Sequence, residues 1–306
     1  MKGEIIVNKF IPTNDYVFKR IFGHKGNEEI TKNFAEAVTG EKYTNISLEE
    51  NPILDRELEN GKTGILDVRL KADDQNIDIE MQVVKSQNII DRALWYWSKM
   101  FQESIIRGDD YSKTKRTICI IITDFLIDDL RDIKDFHTKW NLYDKFQKNR
   151  ALTNKIEIHI IELGKLESIE KLNEDLVYWC TFIKNPERIG DSIMNENKYI
   201  KEAKDVLDII NADADEARRA EIREKAIMDE KWIRNSAIKE GKAEGKAIGL
   251  AEGRAEGRAE GRAEGRLEGK TEEKQEIAKK MKSKGFDINE ISEITGLSVE
   301  EIENIK

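Results

Sequence analysis

Residues 116–123, with the sequence RTICIIIT, restrict the fold more than any other part of the chain. The run is eight residues long and nearly all apolar between its ends, which predicts a β-strand covered by protein on both faces. Helix-like and strand-like patterns are intermixed around it, including the strand-like segment IEIHIIEL at 156–163. This mixture predicts an α/β domain in which a mixed sheet is flanked by helices.

The composition of the 306 residues excludes several classes of protein. Two cysteines, Cys119 and Cys180, cannot form a disulfide framework, so we expect a cytoplasmic protein, and with three histidines they offer few ligands for zinc. Every apolar run falls short of the roughly 18 residues that a membrane span requires, so we expect no membrane partner. A formal net charge of −9 argues against indiscriminate binding of nucleic acid.

Two helices are predicted near the strand-rich region. Asn14 is placed to cap a helix formed by DYVFKRIF at 15–22. The segment 89–108 has apolar side chains at helical spacing. Its predicted apolar stripe consists of Leu94, Trp97, Phe101 and Ile105. We interpret the aromatic side chains of this region, together with Trp140, as core and rim packing.

Two alternating runs, ILDVRLKA and IDIEMQVV, flank the polar segment DDQN and predict a β-hairpin. Because successive side chains of a strand alternate between faces, one face of the hairpin is polar. That face carries Asp67, Arg69 and Lys71 on the first strand and Asp78, Glu80 and Gln82 on the second. With Asp74 and Gln75 in the turn, Asp67 lies opposite Gln82 and diagonal to Glu80.

Two carboxylates and an amide on one face form an oxygen-rich, histidine-free group that suits Mg²⁺ or Mn²⁺. A bound ion of this kind can polarise a phosphodiester and generate hydroxide. The alternative is a solvated hairpin face, because any one-sided antiparallel sheet alternates polar and apolar residues. The pattern alone leaves both interpretations open.

Several ordered motifs resemble one known family. They are TNDYVFKRIFG near the start, ILDVRL and IEMQ with Asp67 and Glu80 thirteen residues apart, DRALWYWSKM, GDDY before the buried strand, and a Glu-Gly-Lys/Arg repeat followed by IAKKMKSKGFDINEISEITGLSVEEI. In this order the chain resembles the Rpn family of recombination-promoting nucleases and transposase-related proteins. That family is a branch of the PD-(D/E)xK nuclease superfamily.

The resemblance implies a restriction-endonuclease-like fold and assigns roles to matching positions. Asp67 and Glu80 would bind the metal, and Gln82 would stand where the superfamily usually has lysine. The missing lysine removes a cation that could orient water, so Lys71 or Lys85 is a candidate substitute. Leu66 replaces the usual proline, which carries no chemistry.

Further candidates surround the predicted site. Asp15 is either an accessory metal ligand or a helix-cap residue, and we favour the cap. Arg92 and Tyr96 are four residues apart and share a helix face, so they could contact a phosphate. The alternative has Tyr96 half-buried and Arg92 paired with a surface acid. Arg69 is a further candidate for contacting DNA.

The rest of the chain is predicted to be a helical arm. We divide the chain into a nuclease-like domain at 1–190, a helical stalk at 191–240, a tetrapeptide repeat at 241–270 and a small helical module at 271–306. The apolar stripe of the stalk could pack on the domain or pair with another chain. In the repeat, like charges lie four residues apart, and each glycine lowers helix stability by ~1 kcal/mol relative to alanine. We therefore favour a flexible spacer over glycine-mediated packing between copies.

The terminal module has the outline of a helix-turn-helix, with Asp287 and Ser298 as helix caps and Glu301 at the capping-box position. Its last helix offers Glu300, Glu301 and Glu303, and these would repel phosphates. We therefore favour a partner-binding or self-association module, and expect a homo-oligomer formed through the tail.

These observations lead to one functional hypothesis and one rival. The chain is predicted to be an Mg²⁺-dependent DNA endonuclease, with Mn²⁺ as an alternative ion, that is linked to recombination or to mobile or foreign DNA. The rival is a catalytically decayed scaffold or regulator that acts through its tail. Transposition of the DDE type needs a third separated acid, for which the sequence offers no clear candidate.

Overall fold

The structure is a computed structural model that describes residues 9–49, 67–86, 88–147, 149–166 and 175–305, with Asp67 described by its backbone alone. The chain forms two compact units, Met1–Trp232 and Ile233–Lys306. Among the described residues, no helix combines the length and apolar character needed to cross a bilayer.

The first unit is built on a six-stranded mixed sheet. Its strands are β1 (Ile46–Leu48), β2 (Asp67–Ala72), β3 (Gln75–Gln82), β4 (Arg116–Thr123), β5 (His137–Trp140) and β6 (Ile156–Glu162). They are ordered β1-β2-β3-β4-β6-β5. The β3–β4 and β4–β6 pairs are parallel, and the other pairs are antiparallel.

Helices cover the sheet on both faces. The helices up to Ser283 are, in chain order, α1 (Asp15–Phe22), α2 (Glu28–Thr39), α3 (Ile89–Glu103), α4 (Asp175–Lys184), α5 (Asp191–Glu196), α6 (Lys198–Ala212) and α7 (Ala214–Ser283). The second unit adds α8 (Ile288–Thr295) and α9 (Val299–Glu303). The predicted α/β class with a mixed sheet, a long helix and small terminal helices is confirmed.

The central strand β4 is buried on both faces, as its apolar run predicts. Ile118, Ile120 and Ile122 belong to the main core, which also contains residues of α1, α2, α4 and α6. Cys119 and Ile121 point to the opposite face and pack with residues of α3. The alternation of β4 therefore defines two layers, and α3 covers the layer that includes the polar side of the hairpin.

The buried face of α3 differs from the predicted stripe. Ile89, Ala93, Tyr96 and Met100 are the buried residues, whereas Leu94 is exposed. Trp97 lies at the boundary, where its indole nitrogen donates to the carbonyl of Thr117 at 3.0 Å. The helix is rotated so that Tyr96 rather than Leu94 faces the sheet. Apolar side chains on both sides of this helix made its periodicity ambiguous.

A two-residue turn, Asp73–Asp74, joins β2 to β3, because Ala72 pairs directly with Gln75. Asp73 has a positive φ of 50°, a conformation that Asp tolerates better than most residues. Its carboxylate accepts the backbone N–H groups of Asn45 at 2.9 Å and Thr44 at 3.2 Å, and these bonds lower the pKa of Asp73. The turn is thereby tied to the segment that leads into β1.

Most of the predicted stalk at 191–240 belongs to the first unit. Ile200, Ala203, Leu207 and Ile210 of α6 are buried in the main core. The apolar stripe therefore contacts the globular domain, which was one of the two alternatives. Ala220, on the first turns of α7, belongs to the same core.

The tetrapeptide repeat is helical, which corrects the expectation of a flexible spacer. All of 241–270 lies inside the 70-residue helix α7. A Cβ atom added at any repeat glycine, from Gly241 to Gly269, would have no neighbour within 4 Å among the described atoms. Close packing within the described chain therefore does not explain the glycines.

The terminal module has its own small core. Ala278, Ile291, Leu297 and Ile302 are buried together. Asp287 caps α8 by accepting the N–H of Asn289, and Ser298 and Glu301 form the predicted capping box of α9. The first of the three predicted helices is the end of α7, and it is not a separate helix.

A buried polar network lies on the sheet face opposite α3. Glu157 binds Arg116 at 2.7 Å, Lys139 at 2.8 Å and His159 at 2.7 Å. Burial alone would raise the pKa of Glu157, yet its hydrogen bonds lower the pKa overall. His159 Nδ1 is 2.8 Å from His137 Nε2. Burial, followed by repulsion from His159 and Lys139, lowers the pKa of His137 to about 4, against the attraction of Glu157.

Acidification should therefore destabilise the first unit through His137. The unfolded imidazole has a pKa near ~6.5, so between pH ~6.5 and ~4 the unfolded chain binds more protons than the folded one. The free energy of unfolding, measured by urea denaturation, should fall across this window by roughly 1–3 kcal/mol. The variant His137→Asn should remove most of that dependence, whereas His24→Asn, at an exposed histidine, should leave it unchanged. Equal pH dependence in the wild type and His137→Asn would contradict this assignment.

Candidate active site

The hairpin register places the two predicted metal-binding carboxylates on directly opposed residues. Asp67 pairs with Glu80, and Arg69 pairs with Asp78. The expected register, with Asp67 opposite Gln82, is wrong by two residues because the turn is Asp73–Asp74 instead of Asp74–Gln75. Directly opposed residues of antiparallel strands share a face, with Cβ atoms about 4.5–5.5 Å apart. The corrected register brings Asp67 closer to Glu80 than the prediction did.

Glu80 is fully buried on β3 and lies on the sheet face that α3 covers. Its Oε2 accepts a hydrogen bond of 2.7 Å from the side-chain amide of Gln82. Strand alternation produces this contact, because residues two apart on a strand point to the same face. The amide therefore holds one oxygen of the Glu80 carboxylate in a defined orientation.

Asp78 forms the next pair along the same face and is also buried. Arg69, directly opposite, has its Nε 4.0 Å from Asp78 Oδ1 and its Nη1 3.1 Å from Glu103 Oε2. The guanidinium is thus engaged by two acids beside the Asp67–Glu80 pair. Sequence reasoning placed Asp78 on this face but gave it no role, although its position opposite an arginine was available from the same alternation.

Neither candidate substitute for the missing lysine contacts Glu80. Lys71 pairs with Asn76, four residues along β3 from Glu80, and binds Glu49 at 2.5 Å. Lys85 binds Asp128 at 2.7 Å. Within the described part of the chain, both ammonium groups are therefore bound by other carboxylates.

Asp15 has a different role from the two that were considered. Asn14, and not Asp15, caps α1 by accepting the N–H groups of Tyr16 and Val17. Asp15 is buried and binds Arg223 of α7, with the Arg223 Nε 2.7 Å from Oδ1 and 2.6 Å from Oδ2. This ion pair, 208 residues apart in sequence, joins the first helix to the start of the long helix.

Arg92 and Tyr96 share a face of α3, as predicted, but Tyr96 is buried. Its hydroxyl accepts hydrogen bonds from Arg92 Nε at 3.2 Å and Nη2 at 2.8 Å. Arg92 therefore binds Tyr96 in the structure, whereas the alternative expectation paired Arg92 with a surface acid such as Asp91. Tyr96 therefore positions the Arg92 guanidinium and does not itself face solvent.

A cavity of about 250 Å³ lies next to the carboxyl ends of β3 and β4. Val83, Asp124, Asn14 and Lys231 are among the residues that line it. The backbone N–H of Asp124 donates to the carbonyl of Gln82 at 3.1 Å. Sequence reasoning did not find Asp124 or Lys231, because only the folded chain brings α7 to this end of the sheet.

The donor chemistry of the Asp67–Glu80 pair suits a hard divalent cation. Glu80 supplies carboxylate oxygens, Gln82 adds an amide, and Asp67 lies directly opposite. Oxygen ligands of this kind favour Mg²⁺ or Mn²⁺ over zinc. The described side chains contain no group of three or more His, Cys, Asp or Glu residues arranged around a metal position. Mg²⁺ commonly binds proteins through one or two carboxylates and keeps several waters as its other ligands.

Two protein families match this chain. Residues 12–237 match the PD-(D/E)XK nuclease family transposases, and residues 271–306 match the C-terminal HTH domain of the Rpn/YhgA-like nuclease family. A search of curated proteins and a search of solved structures each found no match. Both matched families indicate a nuclease-like protein that binds DNA.

The first match contains the entire sheet, the Asp67–Glu80 pair and the Asp15–Arg223 ion pair, and the second contains the terminal module. The resemblance inferred from the motifs is confirmed for both parts. With a match over most of its length, the chain belongs to the PD-(D/E)XK nuclease family transposases, with an Rpn/YhgA-like C-terminal HTH domain.

Proposed function

We propose that this protein is an Mg²⁺-dependent DNA endonuclease that hydrolyses phosphodiester bonds in the cytoplasm and acts in recombination or on mobile or foreign DNA. The observation that carries the proposal is the direct pairing of Asp67 with Glu80. The side-chain amide of Gln82 donates a hydrogen bond to the Glu80 carboxylate. The family supports nuclease chemistry in general. The divalent ion, the cut within the strand and the link to recombination are the proposed details.

The proposed metal site uses Asp67 and Glu80 as ligands. Two carboxylates on directly opposed strand positions repel each other unless a cation or a proton is present. Mg²⁺, or Mn²⁺ in its place, would polarise the scissile phosphate and lower the pKa of a bound water. Gln82 orients the Glu80 carboxylate through its amide. Because a neutral amide cannot replace the charge of lysine, its role is orientation of the ligand and of nearby water.

Arg92 is the proposed phosphate contact. Its guanidinium is oriented by the buried Tyr96 hydroxyl, on the helix that packs over the same sheet face as Glu80. Preorganised arginine is well suited to phosphate because its planar group can donate several hydrogen bonds. Arg69, by contrast, is bound to Asp78 and Glu103, so we propose that it balances the acids of the site.

The proposed division of labour follows the four segments of the chain. Residues 1–190 carry the chemistry, 191–240 and 241–270 form the helical connection, and 271–306 bind a partner or a second copy. Glu300, Glu301 and Glu303 are exposed on α9, which argues against phosphate contacts by that helix. The helical tail is the proposed contact in a homo-oligomer, and its repeat contributes eight exposed glycines.

A second candidate function is a decayed scaffold or regulator that acts through its tail. The observation that favours it concerns Lys71 and Lys85, the candidate substitutes for the missing lysine. Lys71 binds Glu49 and Lys85 binds Asp128, so each ammonium group is paired with a carboxylate other than Glu80. A decayed site would retain the fold and lose the hydrolysis. The two candidates therefore make opposite predictions for cleavage.

The native protein should cleave supercoiled plasmid in the presence of Mg²⁺, and EDTA should abolish the cleavage. Asp67→Asn and Glu80→Gln should each lower the cleavage rate by at least about 100-fold, because either change removes a charged metal ligand. Asp74→Asn, in the exposed turn of the same hairpin, is the matched control and should cleave like the wild type. Conversion to nicked and linear forms on agarose measures the rates.

An inactive wild type with a normal thermal melt would support the decayed scaffold. Cleavage that persists unchanged in both Asp67→Asn and Glu80→Gln would exclude this pair as the active site.

Gln82→Ala should weaken cleavage by about 10- to 100-fold, because the Glu80 carboxylate loses the amide that orients it. The loss should shrink at high Mg²⁺ concentration if orientation of the ligand is the role of Gln82. Gln75→Ala, at the other end of the same strand, is the control and should behave like the wild type. A Mg²⁺-independent loss in Gln82→Ala would point to a role in positioning water or substrate.

A further inference from the structure

The loop between β5 and β6, residues 141–155, has an unusual surface. It carries four basic residues against one acidic residue, a formal charge of +3 in a chain of net charge −9. Its described apolar side chains are exposed, with Phe146 89 % and Tyr143 53 % accessible, and Trp140 at the end of β5 is 42 % accessible. The partial exposure of Trp140 is consistent with the rim packing predicted for it. We call residues 140–155 the aromatic arm.

The described backbone of the aromatic arm is held by its own hydrogen bonds. Tyr143 pairs with Ala151, and the N–H of Asp144 donates to the carbonyl of Arg150 at 3.0 Å. The Asp144 carboxylate accepts the N–H groups of Phe146 at 2.8 Å and Gln147 at 2.6 Å. Phe146 is therefore displayed at a structured tip, which lowers the conformational entropy that binding would cost.

Two cations of the arm are available to a ligand. Lys145 and Arg150 are exposed, and neither has a salt bridge within the described part of the chain. Lys139, just before the arm, differs because it binds the buried Glu157. The acidic residue of the arm, Asp144, is engaged by the backbone of the turn. The arm thus presents uncompensated positive charge beside its aromatic rings.

The last residue of the arm contacts a residue that lines a groove beside α3. Lys155 Nζ binds the hydroxyl of Thr114, and Thr114 lines a cavity of about 630 Å³ with Trp95, Lys99 and Tyr111. Lys99 Nζ lies 5.3 Å from the Trp95 ring centroid. Trp95 is 52 % exposed, so it presents a second aromatic surface with a cation over it. Arg92 lies seven residues before Lys99 on α3, about 10 Å along the helix axis.

We propose that the aromatic arm and this groove bind a single-stranded segment of the DNA substrate. Aromatic side chains stack on unpaired bases, while neighbouring cations contact the phosphates. Bases of a duplex are stacked on one another and cannot cover Phe146 or Trp95 in this way. The inference rests on the proposed function for the nature of the substrate. It adds a preference for DNA that contains an unpaired segment.

The test measures binding of the full-length protein in EDTA, so that cleavage does not interfere. Three fluorescein-labelled probes are compared by anisotropy: a 20-nucleotide single strand, an abasic strand of the same length, and the 20-base-pair duplex. The wild type should bind the single strand at least about fivefold more tightly than the abasic strand, as expected for base stacking. It should also bind the single strand more tightly than the duplex.

Phe146→Ala should lose at least about fivefold in affinity for the single strand and little for the abasic strand. Lys145→Gln should weaken both and lower the log–log salt slope by about 0.7. Trp232→Ala, at an exposed aromatic residue of α7, is the matched control and should bind like the wild type. Since Phe146 is almost fully exposed, its replacement should leave the thermal melt unchanged.

Equal affinity of wild type and Phe146→Ala for the single strand would overturn the inference, as would preference for the duplex. A wild-type dimer that Phe146→Ala converts to monomer would also overturn it, because a second copy would then cover the arm. Failure of the proposed function is distinguishable. If the protein cleaves plasmid but the arm variants bind the single strand like the wild type, only the proposal for the arm is refuted. If the arm binds the single strand but the protein does not cleave plasmid, only the proposed nuclease function is refuted.

Discussion

The two-residue turn at Asp73–Asp74 is the constraint on which the candidate site depends. A hairpin turn sets the register of its strands, and a shift by one residue would move every side chain to the other face. This turn pairs Asp67 with Glu80 and Arg69 with Asp78. The two pairs are neighbours on the same face of the hairpin, so an arginine lies beside the two predicted metal ligands. The Asp73 carboxylate also binds the segment before β1, which anchors the turn to the edge of the sheet.

The first unit extends beyond its sheet because buried polar contacts bring in the later helices. Asp15 of α1 binds Arg223 of α7, and Arg20 binds Glu216 with both partners only partly exposed. Removing one partner of a buried ion pair is more costly than removing an exposed one, since the remaining charge is left without compensation. The start of α7 is therefore part of the folded unit, in agreement with the family match to residue 237.

Local patterns in the sequence predicted much of this fold. The apolar run of β4, the hairpin, the Asn14 cap and the Ser298 capping box depend on neighbouring residues, and each is confirmed. The register was wrong by two residues because DDQN contains several possible turns, and only tertiary contacts of Asp73 select one. The partner of Asp15 lies 208 residues away, and no local pattern reports such a contact. The same limit concealed the groove beside the aromatic arm.

The central claim is that Asp67 and Glu80 bind one divalent cation together. Titration of the full-length protein with Mn²⁺, followed by the electron paramagnetic resonance signal of the free ion, tests it without reference to cleavage. The account predicts one site in the wild type, with binding weakened at least about tenfold in both Asp67→Asn and Glu80→Gln. Mn²⁺ binding that is unchanged in either variant would contradict it.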